Sequence, residues 1–110
     1  MKLHAALLAA GIVFTGTALG QTKAVDAKAA EALAQKSGCI ACHNVDKKLI
    51  GPAYKEVSAK YKADKDAATK LAAKVKAGGS GVWGQIPMPP NTQISDADIK
   101  TMVAWILSLQ

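Results

Sequence analysis

The 110-residue chain has no arginine: its 14 basic residues are all lysines. Arginine is the side chain best suited to bidentate contacts with phosphates and base edges, so a nucleic-acid partner is not expected. Histidine and cysteine are scarce too, with two of each: His4 and His43, Cys39 and Cys42. Two cysteines exclude a multi-disulfide framework. A structural zinc site would need more Cys or His than residues 21–110 supply. Aromatic residues make up only 5%. No apolar run reaches the roughly 20 residues of a membrane-spanning helix, and no segment alternates convincingly as a strand does. No internal repeat or long linker is visible. The length fits one domain.

The N-terminus has the order of an export signal. Lys2 supplies a positive start, an apolar stretch runs from Ala5 to Phe14, and small residues follow up to Gly20. Ala18 and Gly20 suit the minus-three and minus-one positions of a cleavage site. Residues 1–20 are therefore read as a cleaved signal peptide and residues 21–110 as the mature domain, placed in the periplasm. The rival reading, an uncut anchor, suffers from the short apolar run; stable membrane insertion is not expected. Of the net charge of +6, cleavage removes only the contribution of Lys2. The remaining lysines are scattered rather than blocked, which suits steering toward an acidic protein surface.

Helical periodicity marks four segments. Asp26 to Lys36 carries an apolar stripe through Ala29, Ala30, Leu33 and Ala34, and Ser37-Gly38 ends it. Pro52 is expected to open a second helix running to about Tyr61. A third runs from Asp66, as its cap, to Ala77, with Gly78-Gly79 as its stop. Ser95 caps the last, with Asp98 three residues on and Ile99, Met102, Val103, Ile106 and Leu107 as its buried stripe. Residues 78–94 lack helical period and are expected to form one long loop. Loops of that length in so small a domain are usually functional.

The chemistry-bearing string is Cys39-Ile40-Ala41-Cys42-His43. C-x-x-C-H is the attachment signature of c-type haem. Two thiols on one tight turn can reach neighbouring vinyl groups, and the imidazole that follows comes beneath the ring. A thioredoxin-like pair would need a preceding strand and a parallel sheet. A bare structural disulfide would not call for His43. After residue 20, His43 is the sole histidine, so bis-histidine ligation within one chain is excluded. The sulfur candidates for the second axial position are Met88 and Met102. Met102 lies on the apolar stripe of the last helix and suits core packing. Met88 stands in Ile86-Pro87-Met88-Pro89-Pro90, where flanking prolines stiffen the backbone. The expected iron ligands are therefore His43 and Met88. Such a ligand pair leaves no open iron face and favours electron transfer over bond chemistry.

Gly38-Cys39-Ile40-Ala41-Cys42-His43, Gly51-Pro52-Ala53-Tyr54, Gly81-Val82-Trp83-Gly84 and Ile86-Pro87-Met88-Pro89-Pro90-Asn91 together resemble the small bacterial class I cytochromes c of the c-551 (c8) type. The resemblance covers about residues 24–110. It implies an all-α cytochrome c fold of about four short helices wrapped around one covalently bound haem c, with first and last helices crossing. It also implies that the Pro52 carbonyl orients His43, that Trp83 binds a haem propionate, and that Asn91 contacts the Met88 sulfur. Where relatives often place an arginine near the inner propionate, this chain has Lys74, a point charge rather than a planar fork.

The function so implied is that of a monomeric one-electron carrier, not an enzyme. Its partners would be redox proteins: a periplasmic nitrite reductase, oxidase or peroxidase as acceptors and the bc1 complex as donor. Leu33, Val57, Leu71, Ile99, Val103 and Ile106 are expected to line the haem pocket. Lys36, Lys47 and Lys48 are candidates for partner steering. The alternatives are a haem peroxidase and a gas-sensing haem domain, both of which need an open iron face, and a purely structural disulfide domain.

Overall fold

A computed structural model describes residues 10–13 and 25–109. Most of the expected signal segment, including His4, lies outside the described residues. Four α-helices form the body: α1 (Ala27–Lys36), α2 (Tyr54–Tyr61), α3 (Ala67–Ala77) and α4 (Asp96–Ser108). A single 3₁₀ turn, Cys39–Ala41, follows α1, and two short strands, β1 (Gly79–Gly81) and β2 (Gly84–Met88), lie between α3 and α4.

Helix α4 is the hub, packing against α1, α2 and α3. Ile99, Met102, Val103 and Trp105 of α4 are buried against Ala30 and Ala34 of α1, Tyr54 and Val57 of α2, and Leu71 of α3. Ala30 and Ala34 are one helical turn apart, and side chains this small let α1 lie close to α4. The first and last helices thus meet, in agreement with the expected fold. Ser58, buried in α2, donates its hydroxyl to the Leu107 carbonyl at 3.1 Å, which satisfies a polar group inside the core.

The helix ends follow local chemistry, with three departures from expectation. Asp26 caps α1 by accepting from the Ala29 amide at 3.0 Å, and Ser95 caps α4 by accepting from the Asp98 amide at 3.1 Å. Asp66 stands before α3 but makes no side-chain cap; its own amide donates to Asp64 Oδ1 at 2.8 Å. Helix α2 begins at Tyr54 rather than Pro52. The Tyr54 and Lys55 amides, which lack partners inside the helix, donate to the Asn44 and Val45 carbonyls at 2.9 and 3.1 Å. Pro52 is left outside, with its carbonyl free for another use.

The third departure is the hairpin inside the expected loop. Strands β1 and β2 pair antiparallel, Gly79 with Met88 and Gly81 with Gly84, with a bulge between Gly79 and Gly81 and Val82-Trp83 at the tip. None of its strand residues is buried. A strand without a buried face has no alternating apolar signal, which is why periodicity does not reveal it.

Candidate haem site

The chain enters the site through Gly38, whose φ of +77° turns it out of α1 in a conformation that favours glycine. The Cys42 and His43 amides then both donate to the Cys39 carbonyl, at 3.1 and 2.9 Å. That winding gathers the two sulfurs and the imidazole on one short turn. Cys39 and Cys42 are not joined to each other, and both are half-buried. Burial pushes the Cys39 thiol above its ordinary value, and the nearby Cys42 adds to the rise.

His43 is held on several sides. Its Nδ1 lies 2.8 Å from the Pro52 carbonyl oxygen. A carbonyl has no proton to give, so Nδ1 carries the hydrogen, and in the neutral ring Nε2 keeps its lone pair. This orienting bond is the one expected of Pro52, and it uses the carbonyl that α2 leaves out. Tyr54 stacks on the imidazole, with ring centroids 5.2 Å apart and planes 21° from parallel; Trp105 meets Tyr54 edge-on at 5.4 Å. Burial holds the Tyr54 phenol far above its usual range, so the ring stays neutral.

Gly51 makes a close approach to the imidazole that nothing in its local sequence announces. A Cβ there would stand 2.7 Å from His43 Cε1 and 3.0 Å from Nδ1. The Gly51 amide also donates to the Cys42 carbonyl at 2.7 Å, drawing the loop back under the motif. Glycine is needed for this close approach, and only the folded loop reveals that need.

Cys39, Cys42, His43, Pro52 and Met88 all border one cavity, whose apolar walls come from α2, α3 and α4. Val57, Leu71, Val103 and Ile106 line it as expected. Leu33 and Ile99 do not; they belong to the core behind it, where Ile99 is almost wholly buried. Met102 and Trp105 are core residues that also reach the cavity wall. Ile50, Val82, Trp83 and Ile86 border the cavity while staying largely exposed, and so mark its mouth.

Trp83 and Lys74 both border the cavity. The Lys74 amine lies 3.0 Å from where a Gly79 Cβ would sit, at the base of the hairpin. Asn91 is not in the lining. Its side-chain amide donates to the Val75 and Pro89 carbonyls, each at 3.1 Å, and its backbone amide to the Val75 and Lys76 carbonyls. Asn91 thereby ties the segment after Met88 to the end of α3. Gly78 completes this junction. Its φ is +69°, and a Cβ there would overlap the Met88 carbonyl oxygen.

The donor set fits haem c. It offers two thiols at C-x-x-C spacing, an imidazole with a free Nε2, a thioether on the same cavity, and apolar walls for a flat macrocycle. The comparisons with known proteins agree. The profile of the cytochrome c family matches residues 27–110. The chain belongs to the cytochrome c family. Cytochrome c-551 of Allochromatium vinosum is 57% identical over 88 residues, covering 80% of this chain and 94% of that one. Cytochrome c-551 of Pseudomonas aeruginosa is 44% identical over 108 residues, covering 98% of each. The crystal structure of wild-type Nitrosomonas europaea cytochrome c552 superposes with a TM-score of 0.70 at 59% identity, covering 73% of this chain and 99% of that one. Within that family the chain is a small cytochrome of the c-551 type, with one covalent haem c, and an electron carrier rather than an enzyme. Among the described residues, no helix is long and apolar enough to cross a membrane.

Proposed function

We propose that residues 21–110, once the signal segment 1–20 is removed, carry single electrons between respiratory redox proteins in the periplasm. Haem is joined through Cys39 and Cys42, and its iron is held by His43 Nε2 and the Met88 sulfur. The observation that carries this reading is the Pro52 carbonyl on His43 Nδ1, which fixes the tautomer that frees Nε2 on a cavity shared with Met88.

When bound, haem supplies an iron that gains and loses one electron. The chain's own residues make that exchange fast and clean. His43 and Met88, which border the same cavity, would hold the iron and so keep small molecules off the metal. Val57, Leu71, Val103 and Ile106 exclude water, which limits solvent rearrangement as the charge changes by one. Trp83 and Lys74, which border the cavity, would meet the propionates through an indole N–H and an ammonium. Asn91 acts on Met88 by pinning the backbone just beyond it.

Lys36, Lys47 and Lys48 are exposed and flank the turn and loop that border the site. They steer an acidic partner to the cavity mouth, in brief encounters that need only a small interface. Acceptors are a periplasmic nitrite reductase, oxidase or peroxidase, and the donor is a bc1 complex. The test is stopped-flow transfer with a purified acidic partner at low salt, using protein isolated from the periplasm. Replacing Lys47 and Lys48 by Glu should slow transfer several-fold, and added salt should shrink the difference. An unchanged rate removes the steering role, and recovery of the chain in the cytoplasm with residues 1–20 attached contradicts the address.

A further inference from the structure

Met88 sits at the end of β2, on a hairpin that borders the cavity yet buries none of its own strand residues. Its base is fastened to α3 through Gly78 and Asn91. Its tip carries Trp83, 41% exposed, and there a different tie is made: Lys60 Nζ lies over the Trp83 ring, 5.4 Å from its centroid. Lys60 belongs to the last turn of α2, so this contact joins the hairpin tip to the helical body. Among the described residues no carboxylate pairs with Lys60, which leaves its charge to the indole face.

We propose that Lys60 is a positioning residue that latches the hairpin tip over the cavity through Trp83, and so limits how often the Met88 sulfur leaves the metal. The second half rests on Met88 being an iron ligand; the latch itself does not. A cation within about 6 Å of an aromatic centroid at an exposed site shifts an opening equilibrium by roughly two- to fivefold. Arginine can make the same contact, and glutamine cannot.

The test uses ferric holoprotein with two readouts: the rate at which added imidazole replaces the sulfur ligand, and amide hydrogen exchange at Trp83 to Ile86. Lys60→Gln should raise both by about two- to fivefold, and Lys60→Arg should restore both. Lys62→Gln, a neighbouring exposed lysine, should leave both unchanged. The latch is overturned if Lys60→Gln moves neither readout, if Lys62→Gln moves them equally, or if Lys60→Gln changes only the reduction potential. Should the wild-type ferric protein lack a sulfur-to-iron absorption band, the ligand reading fails, while the exchange arm still decides the latch.

Discussion

The stretch 39–54 and the stretch 78–91 border the same cavity, but the first is knotted into itself while the second lies across the surface. In the first, the Gly51 amide returns to Cys42, the Tyr54 amide binds Asn44, the Pro52 carbonyl takes His43 Nδ1, and a stacked tyrosine backs the imidazole. In the second, the strands are exposed and the ties are confined to the base and the tip. The lesson is a division of labour. The imidazole side is fixed by many short bonds close in sequence, whereas the thioether side depends on a few ties spread over residues 60 to 91. A change to one of those ties should therefore reach the whole hairpin.

The largest effect is expected at the hairpin base. Gly78→Ala places a Cβ against the Met88 carbonyl at a φ that side chains rarely adopt. The strain and overlap should cost about 2–4 kcal/mol in denaturant melts, and should weaken sulfur ligation in the visible spectrum. If stability and spectrum both hold, the hairpin gives way more easily than this comparison allows.

Gly51→Ala attacks the other side. The new methyl meets the imidazole edge, and overpacking should cost about 1–3 kcal/mol. Here the thioether ligand should stay in place while the signals of the imidazole shift in paramagnetic NMR spectra. Loss of the sulfur band from Gly51→Ala with unmoved imidazole signals would reverse the assignment of the two sides.

The smallest effect lies away from both. Asp64 is held below its ordinary value near 3.8 mainly by a hydrogen bond from Lys70, and Asp96 likewise by Lys76. A carboxyl lowered on folding adds stability above its unfolded pKa, and that stability fades as pH falls through the folded one. Asp96 is exposed and Asp64 partly exposed, so the melting temperature should fall only slightly as pH drops below about 3.8, and salt should blunt the fall. Replacing both aspartates by Asn should flatten that part of the profile; an unchanged slope would show that other carboxylates set it.

Much of the imidazole side is legible in the sequence, because its residues are neighbours. The C-x-x-C-H string, the Gly-Pro turn and the helix after it are all local. The flanking prolines single out Met88, which the fold brings to the cavity. What is not legible depends on the folded chain. The hairpin hides because it has no buried face. Gly51 looks like any turn glycine until the imidazole is laid against it. Lys60 and Trp83 are far apart in sequence, and nothing in either segment announces the other. Leu33 and Ile99 share the apolar stripes of their helices with true cavity residues, and periodicity does not separate the layer that faces the haem from the layer behind it.

The central claim is that iron is held between His43 and Met88. Its most direct test is the ferric absorption spectrum of the holoprotein beside Met88→Ala and Met102→Ala. A weak long-wavelength sulfur-to-iron band is expected in the wild type and in Met102→Ala, and none in Met88→Ala. A band that survives in Met88→Ala, or disappears with Met102, would contradict it.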